Sequence, residues 1–320
     1  MWVSRTGRMG RPALVRATPR RQPWGVRAVP RRVGPVAALV FTIALCAHVA
    51  TAASPARTRS LDAYSGTGSW VSIYDTAAWR RPERVVQTLA AHRVHTLFLQ
   101  TSNYRQPVDV VRPAKVERFL DAAHEAGIAV VGWYLPSLAN PSRDLRRALA
   151  GARFRSAAGN GFDSFALDIE STKVRWLALR NQRAVALAAA VRRALPRTYP
   201  LGAITIAPVG ASPTYWPGYP YQALAPSVDV FLPMAYFTAR TRGAANVSAY
   251  TAANLRVIRA QIGAGFPIHP IGGEARHAPL AEVKAFLRSA ASANTVGSSL
   301  WEYGEMTPAQ WSALADAAAH

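Results

Sequence analysis

The sequence is nearly free of cysteine: Cys46 is the only one in 320 residues. That excludes a disulfide scaffold and leaves everything after residue 53 without thiol chemistry. Lysine is scarce too, occurring only as Lys115, Lys173 and Lys284, so the 38 basic residues are almost all arginine. Acidic residues number 17, and none falls within residues 1–60, where eleven arginines stand. The net charge is +21, of which the chain after residue 60 carries +10. The arginines there are scattered rather than interleaved with aromatics along one groove, which argues against a nucleic-acid partner. The seven histidines show no HExxH or paired spacing, and no GxGxxG or P-loop follows the first apolar strand. Neither a metal site nor any other cofactor is expected.

Long apolar runs are also missing, with one exception near the start. Residues 1–33 are rich in Arg, Pro and Gly and read as a basic, disordered n-region. Residues 34–53 are apolar apart from Thr42, His48 and Thr51, and small residues follow. This is the layout of a signal peptide, with a core at 36–47 and an Ala-x-Ala type cleavage site. The alternative is an uncleaved membrane anchor, since about 20 apolar residues can span a bilayer. Basic residues before it and a neutral flank after it place the remainder outside the cytoplasm in both cases, so the expected location is extracellular or in the cell envelope. Any membrane contact is expected only through this segment. Residues 54–68 read as a linker, and 69–320 as a single domain.

Within that domain short apolar strands alternate with helical stretches. The pattern predicts strands at 69–75, 94–100, 128–134, 163–170, 201–207, 228–236, 267–272 and 295–301. Helices are predicted at 82–92, 113–126, 142–156, 174–195, 246–262, 280–291 and 308–319. Pro82, Pro113 and Pro308 suit a first helical turn, and Gly127 suits a C-cap. The stretch 212–221 reads instead as a loop. Eight strand–helix repeats in about 250 residues is the arithmetic of an α/β (β/α)8 TIM barrel. A doubly wound open sheet is the runner-up.

The most informative stretch is Gly161-Phe-Asp163-Ser-Phe-Ala166-Leu-Asp168-Ile-Glu170. On a strand, residues two apart share a face, so Ala166, Asp168 and Glu170 point one way and Leu167 and Ile169 the other. Two carboxylates at the tip of a buried strand are costly without partners or a task. Barrel active sites lie at the C-terminal strand ends. Polar and aromatic residues collect at those ends here: Asp75, Gln100, Tyr134, Tyr236, Glu274, Trp301 and Glu302, with Tyr215, Trp216, Tyr219 and Tyr221 in the loop after strand five. Carboxylates ringed by aromatics suit a sugar polymer, because aromatic faces stack on pyranose rings and acids move protons. From this set Asp75, Gln100, Tyr134, Trp216, Glu274, Trp301 and Glu302 are expected to bind a polysaccharide or oligosaccharide substrate.

The chain resembles family-18 glycoside hydrolases, the chitinase-like barrels. Their fourth strand carries D-G-x-D-x-D-x-E, matched by Asp163, Asp168 and Glu170. Their sixth carries M-x-Y-D, matched by Met234 and Tyr236, and their eighth ends in a Trp, like Trp301. Ala166 stands where the middle Asp is expected, and Phe237 where the sixth-strand Asp is expected. The resemblance implies a secreted glycosidase in which Glu170 is the general acid. It implies that Asp168 stabilises the substrate's acetamido group, that Tyr236 hydrogen-bonds that group, and that Trp301 floors the sugar site. The family-25 lysozyme-like barrels are similar more weakly, through Asp168-x-Glu170, Leu300-Trp-Glu-Tyr303 and Asp75. Glu170 and Glu274 also fit the retaining glycosidases that place a Glu after strands four and seven. The two departures leave open a non-catalytic, lectin-like barrel.

Overall fold

The computed structural model describes residues 60–318. The expected basic n-region, the signal or anchor segment and linker residues 54–59 lie outside the described residues. Among the described residues no helix is long and apolar enough to cross a membrane.

Eight parallel strands close into a barrel in sequence order, with the last pairing back to the first. In chain order the elements are β1 (Gly66–Val71), α1 (Thr76–Arg80), α2 (Pro82–Ala91), β2 (Thr96–Asn103), α3 (Pro113–Glu125), β3 (Ala129–Leu135), α4 (Pro141–Ala152), β4 (Ser164–Ile169), α5 (Leu177–Ala194) and β5 (Leu201–Ile206). Then come α6 (Ser212–Tyr215), α7 (Tyr221–Leu224), β6 (Val230–Met234), α8 (Ala244–Ile262), β7 (Ile271–Glu274), α9 (Leu280–Ser292), β8 (Gly297–Trp301) and α10 (Pro308–Ala317). The prolines at 82, 113 and 308 each open a helix, and Thr307 and Gln310 close a capping box on the last. Their fixed φ and missing N–H cost nothing in a first turn.

Two strands differ from the sequence reading. β1 starts at Gly66, inside the stretch read as linker, because a Gly-Thr-Gly run hides a strand. Gly68 is required there: a Cβ would come within 2.5 Å of the Phe98 ring. The 72–75 segment leaves the sheet, and the Asp75 carboxylate accepts from the Ala78 N–H at 3.0 Å to cap α1. β7 starts four residues late. Pro267 and Pro270 cannot donate to a ladder, and Ile268 makes only an isolated bridge to Phe231.

Strand alternation divides the core into two layers. Trp70, Phe98, Val131, Trp133, Ala166, Ile204, Val230, Leu232 and Ile271 fill the barrel. Phe165, Leu167, Ile169, Ala203 and Phe231 face outward against helices. Tyr64 plugs the bottom, where the Ser164 hydroxyl donates to its oxygen at 2.6 Å. The His269 ring sits at 2.8 Å from the Tyr64 carbonyl, and burial pushes its pKa down to about 4, so it is a neutral packing group. The 212–224 segment replaces the eighth long helix with two short turns, α6 and α7.

Candidate active site

The fourth strand delivers its carboxylates as alternation requires. Leu167 and Ile169 pack outward, so Asp168 points up the barrel axis and Glu170 follows at the rim. A Tyr219 hydroxyl, buried beneath the loop after β5, donates to the Ile169 carbonyl at 2.8 Å and holds the strand end in place. Asp168 and Glu170 line a cavity of about 740 Å³ at the C-terminal mouth of the barrel. Asp168 is 6 % exposed, and its Oδ1 has no hydrogen-bond partner within the protein.

Burial dominates the electrostatics. It pushes the Asp168 carboxyl well above the ordinary carboxylate range, and the neighbouring Glu170 charge pushes it further. Burial raises Glu170 as well, while the Arg105 guanidinium opposes that rise. Desolvation penalises the charged form, and like charges resist a second ionisation. Tyr236, half-buried in the same cavity, is held far above its ordinary value by burial and by these two carboxyls, so its hydroxyl stays a donor.

The same cavity holds an aromatic wall. The Trp70, Trp133 and Trp301 rings all line the cavity and meet one another at centroid distances of 5.8, 5.9 and 6.0 Å. Phe98 stacks on Trp70 at 4.2 Å, and the Trp70 N–H donates to the Ser299 hydroxyl at 2.8 Å. The Trp133 N–H is buried and has no partner within the protein. The cavity thus holds a fixed apolar surface, an unmet donor and an unmet acceptor. Among the described residues no group of three His, Cys, Asp or Glu side chains forms a metal-binding cluster.

Of the residues singled out in the sequence, the structure brings Asp168, Glu170, Tyr236, Gln100 and Trp301 together at this cavity. Gln100 also accepts from the Ile73 N–H at 2.9 Å, tying the end of β2 to the loop after β1. Of the expected substrate-binding residues, Asp75, Tyr134, Trp216, Glu274 and Glu302 do not line it. Tyr134 has the opposite parity to Trp133: it is fully buried in the helix layer and donates to the Asp144 carboxyl at 2.7 Å. Trp216 is equally buried, donating to the Asn181 side chain at 2.6 Å. Tyr219 and Tyr221 are packing residues of the same layer, and only Tyr215 of that loop reaches the cavity. Asp75 caps α1 through Oδ1 while its Oδ2 is buried without a partner, and Glu302 accepts from the Ser72 N–H at 3.3 Å with its pKa raised by burial. Glu274 sits 2.9 Å from the His277 ring. Phe237, at the position of the sixth-strand Asp, turns away to pack on Phe286. Asp163 lies at the opposite end of β4, where it accepts from the Val130 N–H at 2.8 Å.

The corrected place of Tyr134 has a measurable consequence. Tyr134→Phe is expected to lower unfolding free energy in urea by about 1–3 kcal/mol, because a buried carboxyl loses a donor. The same variant is expected to leave substrate KM unchanged, whereas a substrate-binding Tyr134 would raise it.

Sequence reasoning did not single out Trp70, nor the basic residues Arg105, Lys173 and Arg175 that line the same mouth. The parity of β4 was available as a signal, since Ala166 pairs with Trp133 in the register and both face inward.

Comparison with solved structures places this architecture. The chain shares its fold with glycoside-hydrolase barrels. An endo-1,4-β-mannanase from Rhizomucor miehei superposes with a TM-score of 0.62 at 8 % identity, over 80 % of this chain and 95 % of the mannanase. A chitinase from Chromobacterium violaceum gives 0.59 at 13 %, over 80 % and 99 %. The Bacillus cereus spore cortex-lytic enzyme SleL gives 0.58 at 10 %, over 78 % and 73 %. No family model and no curated protein sequence matches the chain.

Proposed function

We propose that the protein is a secreted or envelope-anchored glycoside hydrolase acting on an extracellular or cell-wall polysaccharide. Glu170 is the general acid and Asp168 the stabilising carboxylate. The observation that carries this reading is the Asp168–Glu170 pair, raised by burial and sharing one cavity with a wall of three indoles. A carboxyl whose pKa is raised keeps its proton to higher pH and can donate it to a leaving glycosidic oxygen. The fold shared with chitinases and a mannanase supports the same class.

In this reading a sugar ring stacks on Trp301, with Trp70 and Trp133 beneath. Asp168 Oδ1 accepts from the substrate's acetamido N–H and stabilises the positive charge that develops as its carbonyl oxygen attacks the anomeric carbon. The Tyr236 hydroxyl donates to that oxygen. The glycosidic C–O bond breaks as Glu170 gives its proton to the leaving oxygen. Water then adds to the anomeric carbon as its bond to the acetamido oxygen breaks, and the Glu170 carboxylate takes a proton from that water.

The pH dependence tests it. Activity requires protonated Glu170, so kcat/KM falls as pH rises through its raised pKa. Arg105 opposes that rise, so Arg105→Gln is expected to move the alkaline limb to higher pH. A limb that stays put or moves down would take the proton donor away from Glu170.

A lectin-like barrel is the second reading, favoured by Ala166, which offers Asp168 no hydrogen-bonding neighbour on its own strand. It predicts oligosaccharide binding without turnover.

A further inference from the structure

The mouth of the cavity carries three cations, of which the proposed hydrolysis uses only Arg105, and that one only through its effect on Glu170. Arg105 comes from the loop after β2, and Lys173 and Arg175 from the loop after β4. Arg105 and Lys173 converge on one aromatic ring, lying 5.2 and 5.9 Å from the Tyr104 centroid. Some arginines elsewhere are neutralised by carboxylates: Arg118 by Glu83, Arg146 and Arg147 by Asp109, Arg276 by Glu305. What sets the three apart is their convergence on one cavity. Among the described residues, Arg105, Lys173 and Arg175 make no such ion pair.

The loop presenting two of them is firmly built. Arg180, 7 % exposed, donates to the Val174 carbonyl at 2.7 Å and to the Arg175 carbonyl at 3.4 Å. Its guanidinium packs 4.7 Å from the Trp216 ring. A buried arginine is costly unless its hydrogen bonds are met, and here they fix the backbone of residues 174 and 175. The backbone that carries Lys173 and Arg175 is therefore anchored at the mouth, with both side chains exposed to solvent.

Against the three cations the cavity sets only Asp168 and Glu170, and the proposed mechanism keeps Glu170 protonated, so the cations outnumber the ionised carboxyl. A cleft of one sign with low-dielectric walls concentrates ligands of the opposite sign. A neutral sugar chain gains nothing from this. We propose that the polysaccharide is anionic, with a carboxylate or phosphate held by Arg105, Lys173 and Arg175 beside the sugar that Glu170 acts on. The inference rests on the proposed function for the polymer and adds its charge.

The test compares hyaluronan, whose uronate alternates with an acetamido sugar, with its carboxyl-reduced form, and a phosphate-substituted chitin with plain glycol chitin. Turnover is measured with the wild type, and Kd for oligosaccharides of each polymer with Glu170→Gln. The wild type is expected to favour an anionic member over its neutral match by about tenfold or more in kcat/KM, and Glu170→Gln in Kd. The pair that shows it names carboxylate or phosphate. Rising salt should erode the preference, because exposed charges are screened. Lys173→Gln with Arg175→Gln should bring the ratio to about one, while Arg84→Gln with Lys284→Gln, which removes equal charge from the outer helices, should keep it. Equal affinity for both members of each pair would overturn the inference, and so would a preference that survives the loss of Lys173 and Arg175. Absence of turnover on all polymers with the Kd preference intact would count against the hydrolase alone.

Discussion

Glu170→Gln is expected to lower turnover by roughly 10²–10⁴-fold, the range over which a positioned general acid contributes. Glutamine keeps the volume and can still hydrogen-bond, but it has no proton to transfer. The fold should not suffer. Burial raises the Glu170 pKa by more than the attraction of Arg105 lowers it, so the ionised form is on balance disfavoured in the native state and removing the charge has no net cost. The melting temperature at neutral pH should therefore match or exceed that of the wild type. A large activity loss with a lowered melting temperature would point to structural damage instead of lost chemistry.

Asp168→Asn should separate activity from stability in the same direction. Its carboxyl pKa is raised in the folded state, by burial first and Glu170 second. For such a group, stability is full when it is protonated and falls as pH rises from about 3.9, its unfolded value, through the folded value. Asparagine carries no such penalty. The variant is expected to melt higher than the wild type near neutral pH, and the two should converge below about pH 4. Activity should nevertheless drop roughly 10²–10³-fold, as when a preorganised group facing developing charge is removed. A variant that melts lower at neutral pH would mean that Asp168 is a paired carboxylate and that its unmet Oδ1 has been misread.

Both effects follow from a strand whose orientation the sequence already declared. Leu167 and Ile169 demanded the helix layer, so Asp168 and Glu170 had to face the axis. The eight strands were legible for the same reason: short apolar runs alternate with helical periods opened by proline. β1 and β7 were misplaced because glycine and proline mask strands that tertiary pairing enforces. The aromatic residues were harder. Tyr134, Trp216, Tyr219 and Tyr221 carry the same residue types as a sugar platform, yet they fill the helix layer. Composition at a strand end does not say which side of the sheet a ring occupies. Trp70 lay within a predicted strand, away from the strand ends where site residues were expected. The cations at the mouth were invisible for another reason: in a chain with 38 basic residues, three of them attract no notice until the fold sets them around one cavity.

The measurement closest to the central claim is release of reducing ends from chitin, peptidoglycan, β-glucan and hyaluronan by the wild-type protein, with Glu170→Gln run in parallel. The account predicts release from at least one polymer by the wild type and roughly 10²–10⁴-fold less by the variant. Equal release by both would place the proton donor elsewhere. No release by the wild type, with oligosaccharides still bound, would make the barrel a binding protein.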